Sequence, residues 1–262
     1  MIDIHCHPLP ETDDGAKSFE IAVQMLQMSA ADGVTHVVAT PHCNYRYEFH
    51  AEENQRKAAE LQAAVGEKLQ ILLGCDFRLS YENIDLLSKD GANYSINRTR
   101  YLLAEFNDHF IPDQMDQVFY NIQVAGFTPV LTHPERNPVF QHKPEILYRW
   151  VQRGCLSQIT AMSYTGGFGR TAQRLSEKWL DENLVHFFAS DAHDSKHRTP
   201  ILSSCYQKLV ESKGEDAANR IMNKNPAALI EGKPLPPNPD PIGPDDKTKK
   251  KGLFSFLRQS KT

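Results

Sequence analysis

A chain of 262 residues with 40% hydrophobic and 24% charged side chains has the length and make-up of a soluble enzyme with a sizeable core. Its formal charge of −4 hides a division: residues 247–262 hold six basic and no acidic side chains, leaving −10 on residues 1–246, which excludes nucleic acid as partner of the main body. No apolar run approaches the roughly 20 residues that span a bilayer, MIDIHCHPLP lacks the pattern of a secretory leader, and five scattered cysteines predict reduced thiols in a cytosolic protein.

In chain order, seven short apolar runs predict strands at Met1–His5, Val34–Thr40, Leu69–Gly74, Arg100–Glu105, Phe127–Thr132, Cys155–Thr160 and Leu184–Ala189. Helices are expected between them. Ser18 caps the first, with Ile21, Met25 and Met28 on one face and Gly33 as its stop. Ala51–Gly66, a segment opened by Pro112 and Asp113 and ended by Gly126, Pro144–Gly154, Gly169–Asn183 and Pro200–Lys213 follow. Strand–helix alternation implies parallel strands with right-handed crossovers, in an open sheet or a closed barrel. The Pro-rich stretch 233–246 reads as an extended linker between a domain at 1–232 and a basic tail at 247–262.

Side chains that bind metals gather at the predicted strand ends. His5 and His7 close the first run, His42 follows the second, Asp76 the third, Glu105 ends the fourth, His133 follows the fifth, and Asp191 and His193 follow the seventh. In a parallel barrel these ends meet at one mouth, which favours the closed form. Residues i and i+2 of an extended segment point the same way, so His5 and His7 can share an ion while Cys6 faces away, and Asp191 and His193 repeat the geometry. His36, His50, His109, His142 and His186 read as ordinary histidines, and Cys6, Cys43 and Cys75 as small apolar residues facing away from the ligands. No cysteine is followed six residues later by arginine, and GxxxxGK[ST] is absent, so neither a cysteine-phosphatase loop nor a P-loop is present. A mixed imidazole–carboxylate set of this size suits two or three Zn, Mn or Fe ions, the arrangement of phosphoester hydrolysis.

MIDIHCHPLP, DDGAKS, ATPH, LAEF, THPERN, QITAMSYTGGFG and ASDAHD occur in that order over residues 1–231. In these the chain resembles the bacterial PHP-domain proteins, in particular the metal-dependent protein tyrosine phosphatases of capsule and exopolysaccharide operons, the CpsB/YwqE type. The resemblance implies a distorted (β/α)7 TIM-like barrel with a trinuclear, usually manganese-activated centre. It implies hydrolysis of phosphotyrosine on a membrane-associated tyrosine autokinase that controls polysaccharide export, by attack of a metal-bridging hydroxide. It adds Asp14 of the DDG loop to the ligands His5, His7, His42, Asp76, Glu105, His133, Asp191 and His193, and assigns Arg136 and Arg198 to the phosphate. Asp76 departs from the family, where a bridging Glu is common, which leaves the metal spacing open. Glu135 is either an orienter of a ligand or the ion-pair partner of Arg136. Arg46 and Tyr47 fall where they could line a substrate rim, and residues 165–169 read as a mobile loop over the mouth. The alternatives are a histidinol-phosphatase-like enzyme, a non-catalytic docking module stabilised by metal, and an amidohydrolase, against which the closing DxH speaks. The tail joins three consecutive lysines to Leu253, Phe256 and Leu257 on one short helical face, which reads either as a weak membrane contact at the inner face or as a solubilising end.

Overall fold

The computed structural model describes residues 1–80 and 83–243; the basic stretch 247–262 lies outside them. Among the described residues nine strands form in chain order: β1 Ile2–Cys6, β2 His36–Ala39, β3 His42–Cys43, β4 Gln70–Leu73, β5 Asp76–Arg78, β6 Tyr101–Glu105, β7 Thr128–Thr132, β8 Leu156–Thr160 and β9 Phe187–Ala189. All pairings are parallel, in the orders β1-β2-β4 and β3-β5-β6-β7-β8-β9. The second and third predicted strands each continue past their expected ends, as β3 and β5, after breaks at Thr40–Pro41 and at Gly74–Cys75. Pro41 has no N–H to give the ladder, yet pairing continues across both breaks, where Gly74 donates to the Ala39 carbonyl and Asp76 to that of Pro41. Counted through the breaks there are seven strands, and a parallel bridge from Cys6 to Ala192 returns the circuit to β1. The fold is a distorted (β/α)7 TIM-like barrel. The distortion is visible beside β4, whose outer edge has no strand partner among the described residues.

The barrel wall is apolar on both sides because helices cover it. The first, α1 (Phe19–Ala31), starts where Ser18 accepts from the Ile21 N–H and stops before Gly33, at φ 86°. Two more are α2 (Ala51–Val65) and α3 (Ile84–Tyr94), the latter unforeseen. Next come α4 (Met115–Val124), α5 (Pro138–His142), α6 (Glu145–Gln152), α7 (Ala161–Tyr164), α8 (Gly169–Asp181) and α9 (Ser203–Lys213). The α4 helix begins at Met115, not at Pro112; the Pro112 carbonyl accepts from the Met115 N–H in the turn before it. One core lies between wall and helices and contains Trp150 and Trp179, while a second, with Ile4, Val38, Leu103, Val130 and Phe187, fills the barrel beneath the mouth.

A register shift between Asp3 and Cys6 sets the mouth. This bulge lets Ile2 and Ile4 join the inner core while His5 and His7 also turn inward above it. Residues 233–243 form no regular element but lie on the barrel. The Tyr101 hydroxyl donates to the Lys233 carbonyl at 2.6 Å, Leu235 packs on the inner core, and Ile242 donates to the Glu182 carbonyl at 2.8 Å. No helix among the described residues is long and apolar enough to cross a membrane.

Candidate active site

Of the nine residues read as ligands, eight stand at the C-terminal ends of the strands, counted through the breaks, and Asp14 joins them from the loop after β1. His5 and His7 point the same way with their Nε2 atoms 3.1 Å apart, while Cys6 faces away, its Sγ 3.8 Å from the Ala192 carbonyl. The far side of each ring fixes the tautomer. His5 Nδ1 lies 2.9 Å from Gln158 Oε1, His7 Nδ1 2.7 Å from Asp13 Oδ2, and His193 Nδ1 3.0 Å from the Asp191 carbonyl. Facing an acceptor, each Nδ1 carries a proton, so in the neutral ring each Nε2 turns a lone pair into the site. Asp191 Oδ1 stands 3.4 Å from both His5 Nε2 and His7 Nε2. Asp14 Oδ1 stands 3.4 Å from both His42 Nε2 and His193 Nε2.

Asp76 is the centre of the cluster. It opens β5 and is fully buried, with Oδ2 at 3.6 Å from His5, 3.2 Å from His42 Nδ1 and 3.8 Å from His133. Thr132 donates to its other oxygen at 3.3 Å. Glu105 Oε2 lies 3.8 Å from His42 Nδ1 and accepts from Arg78 Nε at 3.1 Å. Among the described residues, donor atoms close enough to share one ion fall into three groups: His7, Asp14, His42 and His193; His5, His7 and Asp76; and His42, Asp76 and Glu105, with His133 and Asp191 beside them but in none. The groups overlap at His7, His42 and Asp76.

These residues fit divalent cations on two observations. His42 Nδ1 and Asp76 Oδ2 are buried without a hydrogen-bond partner, a costly state that a cation would relieve. The converging Nε2 lone pairs of His5 and His7 also repel each other unless a proton or metal lies between them. The charges tell the same story. Burial lowers the His7 pKa, but Asp13 outweighs it and lifts the group to about 9. Burial and then the repulsion of Asp76 push Glu105 up to about 7. Burial, and then the charge of Arg136, brings His133 down to about 4; burial, and then His7, does the same for His193.

Two of the residues read as ligands carry left-handed backbone: His133 at φ 36° and Asp191 at φ 50°. Such conformations cost of order 1–3 kcal/mol and persist only when neighbours over-determine them. His133 N–H donates to the Gln158 carbonyl at 2.9 Å, and Asp191 N–H to that of His5 at 2.7 Å.

Arg136 and Arg198 flank the cluster. Both guanidiniums bond Asp191 Oδ2, Arg198 at 2.8 Å, and Arg198 also donates to the Asp191 carbonyl at 3.0 Å. Buried Asp191 opposes two cations and is held well below the usual carboxylate range by them, against the effect of its burial. The Phe168 ring lies 4.7 Å from the Arg136 guanidinium carbon and 5.8 Å from that of Arg198. Phe168 sits in the Gly-rich turn before α8, where Gly166 and Gly169 have φ of 99° and 88°. A side chain on Gly167 would stand 2.5 Å from Met162 Cγ. Phe168 brings the turn to the mouth, where backbone bonds tie it to Ala161, Met162 and Ser163. Arg46 and Tyr47 line the mouth as well, with Tyr45 and Arg78.

Glu135 makes neither expected contact: among the described residues it forms no ion pair with Arg136 and bonds no proposed ligand. It accepts from the Thr160 N–H at 3.1 Å and the Ser163 hydroxyl at 2.6 Å, and so braces β8 against α7. Sequence reasoning passed over four residues of the site: Asp13, Gln158, Arg78 and Asp3. Asp13 neighbours Asp14 in the DDG turn, where its Oδ1 accepts from the Gly15 N–H at 2.9 Å. Asp3 accepts from the Ser190 N–H at 3.0 Å and its hydroxyl at 2.5 Å.

Comparison with known proteins agrees with this geometry. The family described as "Capsular polysaccharide synthesis, CpsB/CapC" matches residues 1–231. The chain is 38% identical to CapC of Staphylococcus aureus over 210 residues, 79% of this chain and 82% of that one. It is 33% identical over 264 residues to the tyrosine-protein phosphatase YwqE of Bacillus subtilis, covering 98% of this chain and 100% of YwqE. A crystal structure from the pair YwqE and Streptococcus pneumoniae CpsB, described as metal-dependent tyrosine phosphatases, superposes with a TM-score of 0.86 at 32% identity, over 93% of this chain and 99% of that one. The histidinol phosphate phosphatase of Lactococcus lactis shares the fold alone, with a TM-score of 0.55 at 15% identity over 81% of this chain and 93% of that one. The barrel, its donor cluster and the match over 1–231 place this chain in the CpsB/CapC family of capsular polysaccharide synthesis.

Proposed function

We propose that this mouth hydrolyses phosphotyrosine in polypeptides, and that the chain is a metal-dependent tyrosine-protein phosphatase. The observation that carries the reading is the juxtaposition of three overlapping donor groups with two arginines anchored on one buried carboxylate. His5, His7, Asp14, His42, Asp76, Glu105, His133, Asp191 and His193 would hold two or three divalent ions, with manganese the expectation from family resemblance. Bound there, the ions would activate water at neutral pH and offset the charge of the phosphoryl group.

The chain's own side chains account for the rest. Arg136 and Arg198 offer planar, permanently charged donors to the equatorial phosphoryl oxygens. Asp191 fixes both guanidiniums before substrate arrives, so little reorganisation is left to the reaction. The leaving phenolate has a pKa of about 10, and needs less help from an acid than an alkoxide would. A cysteinyl-phosphate route lacks an accessible nucleophile: all five cysteines are buried, burial raises Cys6, Cys75, Cys155 and Cys205 above the ordinary thiol range, and Cys43, lowered by its hydrogen bond with Cys75, is buried against that thiol.

The physiological substrate in this reading is a membrane-associated tyrosine kinase of polysaccharide synthesis, and the basic tail would add a weak hold on the inner membrane face. Turnover of a phosphotyrosyl peptide, with histidinol phosphate in parallel, tests the assignment. Hydrolysis of the peptide that ends on full chelation and returns with added manganese is the expected result. Activity that survives chelation, or a preference for histidinol phosphate, refutes it.

A further inference from the structure

We infer that Tyr45, Arg46 and Arg78 form a second recognition site at the mouth, which takes an acidic side chain of the substrate polypeptide next to its phosphotyrosine. The inference rests on the function proposed above and names a feature of the substrate that this function leaves open.

The mouth carries two aromatic rings, each attended by two arginines. On the inner side Phe168 meets Arg136 and Arg198, whose charges are committed to Asp191. On the outer side the guanidinium carbons of Arg46 and Arg78 lie 5.3 Å and 5.9 Å from the Tyr45 ring. Tyr45 is 76% exposed, so its ring and the two guanidiniums beside it are open to a substrate. Arg78 spends its Nε on Glu105 at 3.1 Å, which orients the guanidinium at the mouth. Arg46 is exposed and makes no ion pair among the described residues.

The loop that carries these groups is built, not loose. The Asn44 carboxamide oxygen accepts from the backbone N–H of Arg46 at 2.9 Å and of Tyr47 at 3.2 Å, and Asn44 N–H donates to the Tyr47 carbonyl at 2.9 Å. Tyr47 stacks on His42, with centroids 6.1 Å apart and planes 16° apart. Asn83 donates to the Cys43 carbonyl at 3.1 Å. Arg46 is thus held at the mouth without touching a proposed ligand, while Arg78 also holds Glu105.

A phosphotyrosine whose phosphoryl group reaches Arg136 and Arg198 must bring its own main chain to the rim. Residues beside it in sequence then pass Arg46, Arg78 and the Tyr45 ring, which repel a lysine and attract a glutamate or aspartate. Of the carboxylates near this rim, Asp14 faces His42 and His193, Glu105 is engaged by Arg78 and faces His42, and Glu48 is exposed beside His50, so the attraction rests chiefly on Arg46, which has no carboxylate partner among the described residues.

The test uses the full metal-loaded chain and phosphotyrosyl peptides that differ only in carrying Glu, Ala or Lys beside the phosphotyrosine. Exposed charge pairs give a few-fold each, so kcat/KM for the Glu peptide should exceed that for the Lys peptide by about tenfold at low salt. The ratio should shrink as ionic strength rises to about 0.3 M. In Arg46→Gln it should fall to about threefold or less, and Tyr45→Ala should reduce it as well. Equal turnover of the three peptides by the unaltered enzyme, or an undiminished ratio in Arg46→Gln, overturns the inference while leaving the proposed function intact. Failure to hydrolyse any of the peptides would overturn both.

Discussion

Asp13→Asn removes one oxygen and leaves every proposed ligand in place, so it isolates the orientation of His7. Asp13 accepts three hydrogen bonds: from His7 Nδ1 at 2.7 Å, from the His42 N–H at 3.0 Å and from the Gly15 N–H at 2.9 Å. An asparagine cannot satisfy all three. With its oxygen on Gly15, its NH2 faces His7 Nδ1 and the His42 N–H, and the His7 proton is driven to Nε2, where the ions should bind. Turned over, it abandons the Gly15 N–H, at about 1–3 kcal/mol. Loss of such an orienting partner weakens metal binding 10–100-fold in general, or about 1.4–2.7 kcal/mol. There is also a proton to follow. His7 titrates at about 9 in the metal-free chain, because Asp13 outweighs the effect of burial, so at pH 7 it must release a proton when metal binds. Calorimetric titration of the stripped protein with manganese, in buffers of different ionisation enthalpy, measures both quantities. The variant should bind at least one ion roughly tenfold or more weakly, release fewer protons, and regain most of its kcat at saturating metal. Unchanged affinity together with an unchanged proton count would refute the orienting role.

Three further outcomes follow from other parts of the structure. Phe168→Leu should raise KM for phosphotyrosyl peptide several-fold with metal content unaltered, since each cation–π contact contributes about 0.5–2 kcal/mol, and Phe168→Tyr should restore it; equal KM values for Leu and Phe would dismiss the ring. Gly15→Ala should lower Tm sharply, because its Cβ would stand 2.2 Å from the His7 carbonyl oxygen and 2.6 Å from His7 Cβ, a clash that costs upwards of about 3 kcal/mol; a melting curve superimposable on that of the unaltered protein would contradict this. His186, buried and close to Arg220, titrates at about 4 in the folded chain, below its ordinary value of 6.5. A depressed histidine stabilises above the unfolded pKa, so up to about 3 kcal/mol should drain away as pH falls from 6.5 towards 4. Urea unfolding of metal-free His186→Asn at pH 7 and pH 4.5 should show a smaller loss than the unaltered chain, and parallel losses would argue against it.

The donor residues were legible because metal chemistry restricts residue type and strand geometry restricts spacing. His5 with His7, and Asp191 with His193, announce themselves in a linear string. Their orienters do not. Asp13, Gln158 and Asp3 are selected by hydrogen bonds between segments distant in sequence, and nothing in their type separates them from a turn residue or a core amide. The barrel was legible as seven apolar runs, whereas its distortions were not. The bulge in β1 keeps Ile4 and His5 both inward, contrary to simple alternation. Helix α3 escaped notice because its apolar face is interrupted: Asp90 leaves helical geometry, at φ −155°, and Gly91 gives up its side chain to the Phe127 ring, 2.6 Å from where a Cβ would sit.

The seam of the barrel, between β9 and β1, has a consequence for how the molecule is held together. Apart from the Asp3–Ser190 bonds, it is joined by the Cys6–Ala192 bridge, by Asp191 N–H to the His5 carbonyl and by His7 N–H to the Ala192 carbonyl. His5, His7, Asp191 and His193 are also the proposed ligands that bracket it. Ions spanning those side chains would cross-link the first strand to the last, like a clasp on a hoop. Filling the site and locking the hoop are then one event, and metal that binds the folded chain alone becomes a staple of the fold. Slow hydrogen exchange at the Asp191 and His7 amides would be a direct gauge of how firmly that clasp is shut.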